Sequence, residues 1–376
     1  MFGFKNSNIY IEGKGIIKTN LQIKENKFSS FDYLDELEEL NDKYIIVPGF
    51  IDEHIHGSNN SDTMDATNKA LDNISTSIIK EGVTSFLATT MTMSKDKISS
   101  SLENIANYKN ENGANILGIH LEGPFISPNF SGAQNKNEII KPTRELILEY
   151  INKSNNKIKI ITIAPENCDK DIYHLLKENN IVISAGHTNA TSNDIKEAIN
   201  EGLSLTTHTY NAMKGLHHRE IGTVGAALLY DELACELICD LHHVSEDAIR
   251  LLYKNKPKDK LILITDSMEA KFLDDGNYSL GGQPVIVKNG TARLENDTLA
   301  GSILHMNDAI RNLKNVCNLS LEEAIDKATI NPAKNLKIDN IKGSINIGKD
   351  ADFIIIDKDL NIYRTYVNGK LVYKKD

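Results

Sequence analysis

Residues 45–57 read IIVPGFIDEHIHG, an apolar, β-branched run that closes on His54 and His56. The way this stretch ends decides how the rest is read. Successive side chains on a strand point to opposite faces, so two histidines two residues apart share one face. Seven further short apolar runs follow it, at 85–88, 116–121, 159–163, 181–185, 205–207, 234–238 and 261–265. Stretches with helical spacing separate most of them, at 68–81, 95–110, 143–152, 169–178, 192–201 and 245–254. Eight strand candidates with interleaved helices predict an α/β protein built on a closed parallel (β/α)8 TIM-like barrel of the usual ~250 residues. A doubly wound open sheet is the structural alternative, but no glycine-rich nucleotide-binding motif supports it.

The chain has 376 residues, more than one ordinary domain needs. Both ends are rich in short β runs: 9–11, 15–18 and 44–47 at the start, then 352–357, 363–367 and 370–373 around an Asn368-Gly369 turn. Residues 1–48 and 340–376 are therefore expected to build one small sheet domain beside a barrel of 49–339. Within the barrel a β-hairpin insertion is predicted near 278–300, with turns at Gly281-Gly282 and Asn289-Gly290. Helices at 309–317 and 321–329 follow, the second opened by Ser320 and Glu323 in capping-box spacing.

Fifty-two acidic against 42 basic residues give a net charge of −10. Such a chain repels phosphate backbones and carries no basic block, so nucleic-acid binding is excluded as a working class. No apolar run approaches the ~20 residues that span a bilayer, and the N-terminus lacks a signal-peptide pattern. Cys168, Cys235, Cys239 and Cys317 show no disulfide spacing, which suits a reducing compartment. A soluble, cytoplasmic protein with no membrane partner is expected.

Barrel enzymes place reactive groups at the C-terminal ends of strands. Here those ends carry His54 and His56, then His120 and Glu122, His187, His208, the Asp240–His243 stretch and Asp266, which together hold seven of the eleven histidines. A lone H-x-H is as often a hydrogen-bonded core pair as a ligand pair. A buried Glu such as Glu122, however, is rarely tolerated unless paired or bound to metal. Glu122, His187 and His208 form a two-imidazole, one-carboxylate set that suits zinc with an open coordination position. His120 reads as a supporting neighbour. Asp266 reads as a general base, with a helix cap as the bland alternative. His174 is read as a surface residue, and His217, His218 and Arg219 as a short cationic loop cluster.

These residues lie in segments that resemble the amidohydrolase superfamily: PGFIDEHIHG (48–57), DTMDAT (62–67), GIHLEGPFISP (118–128), GAQ (132–134), APE (164–166), SAGHTNA (184–190), THTYNAM (207–213), HHRE (217–220), ITDSMEA (264–270), LAGS (299–302) and GSINIGKDADFIIID (343–357). The resemblance is to the branch that deacetylates amino-sugar 6-phosphates. It implies a metal-binding barrel beside a small β-sandwich made from both chain ends. It further implies Glu122, His187 and His208 as ligands of a retained divalent metal, zinc with ferrous iron as the alternative, and Asp266 as catalytic acid/base. His54 and His56 leave open a second metal bridged by Glu122. Ala133, Asn211, Ala212, Arg219, His243, Leu299, Ala300 and Gly301 fall where members of the branch contact the sugar phosphate. Arg219 is expected to reach the neighbouring subunit's site in a homodimer. The implied reaction is removal of the acetyl group from N-acetylglucosamine 6-phosphate, with the galacto epimer or another amidohydrolase substrate as the alternative. A cyclic-amide hydrolase is disfavoured because Lys157 and Lys159 open the fourth strand rather than end it. A non-catalytic barrel is disfavoured because the ligand set and Asp266 are all present.

Overall fold

The computed structural model describes residues 1–34, 36–109 and 111–375. Its central sheet has eight strands: Phe50–Ile55, Val83–Thr89, Asn115–Glu122, Ile158–Ile163, Val182–Ala185, Leu203–Thr206, Ala234–Ile238 and Leu261–Ile264. Each pairs in parallel with the next in chain order. The first and eighth meet at the rim, where the Asp266 amide donates to His54 O at 2.9 Å and Thr265 Oγ1 donates to Asp52 Oδ2 at 2.5 Å. The sheet is thus a nearly closed barrel, as the strand count predicts.

The strands are buried on both faces, which is why they read as continuous apolar runs rather than alternating ones. Helices cover the outside, and hydroxyl or carboxylate side chains fix their starts. Thr67 accepts from Ala70 N, Thr143 from Leu146 N and Ser245 from Ala248 N, while Thr191 and Asp194 form a reciprocal capping box. In the first helix, Asn68–Ile78, the buried Leu71, Ile74 and Ile78 make the inward stripe.

Three local expectations are corrected, and one helix is found that periodicity does not predict. The run at 45–55 is not one strand: Ile45–Pro48 joins a different sheet and only Phe50–Ile55 enters the barrel. The break falls at Gly49, where an added Cβ would lie 2.2 Å from Thr84 Oγ1. A helix at Gly222–Leu229 escapes periodicity because it is apolar nearly all round and holds two glycines. The helix expected at 95–110 ends at Asn107, and position 110 lies outside the described residues. The Ser320 box is half formed: Ser320 accepts from Glu323 N, but the Glu323 carboxylate turns to Tyr253 and Lys258.

Strands from both chain ends share one sheet, with Phe353–Ile356 hydrogen-bonded to Ile45–Pro48 and that strand to Phe2–Ile11. Alternation along Phe353–Ile356 divides two cores. Ile354 and Ile356 pack into the barrel cluster, while Phe353 and Ile355 face a second cluster with Phe4, Phe28 and Tyr366.

A separate three-stranded antiparallel sheet, Gly276–Leu280, Gln283–Lys288 and Thr291–Arg293, follows the eighth barrel strand. Its turns are the expected pairs, with Gly281, Gly282, Asn289 and Gly290 all at positive φ. Leu280, Val285, Val287 and Ala292 bury against Met91 and Met268. This packing holds the excursion against the barrel mouth.

Candidate active site and metal centre

The third strand carries Glu122 inward at its C-terminal end, 1% exposed. Its Oε1 lies 3.2 Å from His187 Nε2 and 3.1 Å from His208 Nε2, and those two nitrogens are 3.1 Å apart. His187 Nδ1 donates to Phe130 O at 2.9 Å, because a carbonyl can only accept. That bond commits Nε2 to present its lone pair to an anionic oxygen, an arrangement a cation between them relieves. The donor atoms of Glu122, His187 and His208 all lie within 4.8 Å of one another. Two imidazoles and a carboxylate fit zinc or ferrous iron, and the observed donor geometry is consistent with such an ion.

A second donor group sits beside the first. His56 Nε2 is 3.2 Å from both Glu122 Oε2 and Asp266 Oδ1, while His56 Nδ1 faces Thr89 O at 3.3 Å. His54 Nε2 lies 3.4 Å from Asp266 Oδ1 and 3.7 Å from Glu122 Oε1, and it has no hydrogen-bond partner among the described residues. Oε1 of Glu122 therefore faces His187, His208 and, at longer range, His54, while Oε2 faces His56. Gln134 Nε2 donates to Oε2 at 2.7 Å and fixes the carboxylate plane.

Burial alone would raise the Glu122 pKa. The His54 charge, then the close contacts with His187 and His208, outweigh it and hold the carboxyl well below the ordinary range. Burial pushes Asp266 upward too, but His54 and His56 bring it down to about 2. His56 moves the other way: burial disfavours its charge, yet hydrogen bonds to Asp266 and Glu122 raise it to about 9. The cluster is thus a knot of buried anions that requires positive charge close by. His120 differs. Burial, then the His54 charge, hold it well below its ordinary value, and its nitrogens are taken by Glu53 O at 3.1 Å and Thr162 Oγ1 at 2.8 Å. It packs beneath the site with no nitrogen left for a metal.

His187, His208 and Asp266 adopt φ of 46°, 29° and 49°. Left-handed backbone at non-glycine residues costs of order 1 kcal/mol or more each, and it persists where surrounding structure holds it. Each residue directly follows or lies close beyond a barrel strand, where the chain must turn sharply to aim its side chain at the axis.

One cavity of about 490 Å³ opens onto these groups, a size suited to a small ligand. Glu122, His56, His187, His208 and Asp266 form its polar end. Of the residues the sequence associates with a sugar phosphate, Ala133, Asn211, Ala212 and His243 line it, as do Leu299 and Gly301. His54 lies beneath the lining, and Ala300 is fully buried behind it. Arg219 is not in the lining; it is exposed, with Nη1 against His218 Nε2 at 3.0 Å. His243 Nδ1 is held by Asp240 Oδ2 at 2.6 Å. Burial would raise Asp240, but the His243 contact outweighs it and keeps the carboxyl low. Four free cysteines lie away from this lining.

Sequence reasoning missed Glu236, Gln134 and Arg293. Glu236 is fully buried on the seventh strand; its Oε2 lies 3.0 Å from His54 Nδ1 and accepts from His208 N at 3.1 Å. The same signal that singles out Glu122, a lone carboxylate in an apolar strand, is present in ACELI and could have found it.

Against known families, residues 45–372 match the model of the amidohydrolase family. The chain belongs to the amidohydrolase family. This amidohydrolase is 42% identical over 341 residues to N-acetylglucosamine-6-phosphate deacetylase of Lysinibacillus sphaericus, covering 90% of its own length and 87% of the relative's. It is 34% identical to N-acetylgalactosamine-6-phosphate deacetylase of Escherichia coli O157:H7, covering 88% of each. The crystal structure of N-acetylglucosamine-6-phosphate deacetylase from Thermotoga maritima superposes with a TM-score of 0.91 at 34% identity, over 99% of both chains. No helix among the described residues is long and apolar enough to cross a membrane.

Proposed function

We propose that this amidohydrolase removes the acetyl group of N-acetylglucosamine 6-phosphate, yielding glucosamine 6-phosphate and acetate. The observation that carries the reading is the Glu122–His187–His208 set beside Asp266 at the polar end of one cavity. Glu122, His187 and His208 would hold a divalent cation, zinc with ferrous iron as the alternative. His54, His56 and Asp266, with Glu122 shared, would hold a second. A divalent cation held there supplies Lewis acidity, which acidifies water and polarises a carbonyl oxygen.

The protein's own groups do the rest. An amide resists hydrolysis because its carbonyl is a weak electrophile and its nitrogen a poor leaving group. As water oxygen bonds to the carbonyl carbon, the ionised Asp266 accepts the proton. When the C–N bond breaks, Asp266 returns that proton to the departing nitrogen. Gln134 holds Glu122 in place, and His243, braced by Asp240, faces the sugar. Arg219, exposed outside its own cavity, is assigned to a neighbouring subunit's site in a homodimer. A cytoplasmic location is assigned as well, in keeping with four unpaired cysteines.

The gluco epimer is preferred over the galacto because the 42%-identical relative carries the gluco name and the galacto-named one is 34% identical. The test is acetate release from N-acetylglucosamine 6-phosphate, its galacto epimer and unphosphorylated N-acetylglucosamine. Fastest release from the first is expected; equal or faster release from the unphosphorylated sugar contradicts the reading. Asp266→Asn should lower kcat by about 10²- to 10⁴-fold while the cation held by Glu122, His187 and His208 is retained.

A further inference from the structure

The cavity that takes the sugar must also take its 6-phosphate, which carries about −1.5 to −2 charge near neutral pH. Glu122, Asp266 and Asp297 already bring carboxylates to the lining. Among the described residues that line it, one is a Lys or Arg: Arg293. Resting on the proposed reaction, we infer that Arg293 is a phosphate-binding residue acting within its own subunit, supplied by the three-stranded excursion rather than by the barrel.

The geometry points the same way from the substrate's side. In a hexosamine the 2-acetamido group and the C6 substituent project from different parts of the ring. With the acetamide at the Glu122–His187–His208 end, the phosphate extends toward the mouth. Arg293 closes the strand Thr291–Arg293 and bridges across to Leu299, itself in the lining. Its neighbour Ala292 is buried in the excursion's apolar cluster, so Arg293, the next residue along, points to the opposite face.

The guanidinium is anchored without being used up. Nη1 donates to Asp297 O at 2.8 Å and lies 3.3 Å from Asp297 Oδ1. Nε and Nη2 have no acceptor among the described residues. The Asp297 side chain is 85% exposed, and an exposed pair of this kind is worth little, so a dianion displaces it readily. A planar fork with two unoccupied N–H directions matches two phosphate oxygens. Among the described residues no other Lys or Arg lines the cavity, since Arg219 is outside it, while His243, held by Asp240 through Nδ1 alone, offers at most a single N–H rather than a fork.

The experiment compares wild type, Arg293→Ala and Arg293→Lys. Acetate release is measured from N-acetylglucosamine with and without its 6-phosphate, alongside inhibition by inorganic phosphate. The ratio of kcat/KM for the phosphorylated sugar to that for the unphosphorylated one should fall about 10- to 100-fold in Arg293→Ala. Phosphate inhibition should weaken in parallel, and Arg293→Lys should recover part of both. An unchanged ratio in Arg293→Ala, or an equal fall with both sugars and unaltered phosphate inhibition, overturns the inference. Wild-type protein that shows no preference for the phosphorylated sugar overturns the proposed reaction instead, so the two failures are distinct.

Discussion

His54 has one ring nitrogen tied to Glu236 and the other pointing between Asp266 and Glu122. Glu236 also receives the His208 amide, so a single buried carboxylate orients members of both donor groups. Carboxylates behind metal-ligating histidines set tautomer and aim, and losing one costs about 10- to 100-fold in metal affinity. Glu236→Ala should therefore release metal at chelator concentrations that leave wild type loaded, and Glu236→Gln, whose amide oxygen can still accept, should retain most of it. Titration with a chromophoric chelator reads the difference; identical release curves for Glu236→Ala and wild type would refute the role. At this scale the sequence speaks unevenly. His54 and His56 declare a shared face by spacing alone, and Glu122 stands out as a charge in an apolar strand. The left-handed backbone of His187, His208 and Asp266 leaves no trace in the order of letters, because it arises from closure of the barrel rim. Arg293 was invisible for a related reason: only the register of its strand against Leu299 shows where it points.

Between elements, the short turn Ile79–Glu81 is clamped to the loop after the eighth barrel strand by Glu81 bonded to Lys271, with His305 2.8 Å from the second oxygen. Lys271 is fully buried. Removing its counter-charge leaves an uncompensated ammonium in the interior, and Glu81→Gln should cost about 3–5 kcal/mol in urea unfolding. Burial would raise the Glu81 pKa, but the Lys271 charge and the His305 hydrogen bond outweigh it and hold it below the ordinary 4.5. A depressed folded-state pKa means the stabilisation is complete above that ordinary value and is lost as pH falls through the folded one. The gap between wild type and Glu81→Gln should accordingly narrow below pH 4.5; a gap that widens on acidification would show the pair is not the source. Element boundaries were legible where caps and periodicity agree, as at Ser192–Glu201, whose span the sequence predicts to the residue. They were not where tertiary packing decides. Gly49 divides one apolar run between two sheets because Thr84 leaves no room for a side chain, and Gly222–Leu229 is helical without an amphipathic stripe.

Over the whole molecule, the barrel brings to one rim side chains from strands far apart in the chain, and the excursion and end sheet pack around it. Strand count and the chemistry of strand ends were enough to foresee this architecture, since a parallel sheet needs crossovers and a (β/α)8 barrel gathers its reactive groups at one face. The side chains so gathered are buried carboxylate oxygens and inward-facing imidazole nitrogens converging within a few ångströms, a donor set that a bound cation satisfies. Metal analysis by inductively coupled plasma mass spectrometry, on wild type and Glu122→Ala purified side by side, tests this claim most directly. One or two equivalents of zinc or iron per wild-type chain, with bound metal lost in Glu122→Ala, is the predicted result. Wild-type protein that is free of divalent metal yet still releases acetate from N-acetylglucosamine 6-phosphate would contradict it.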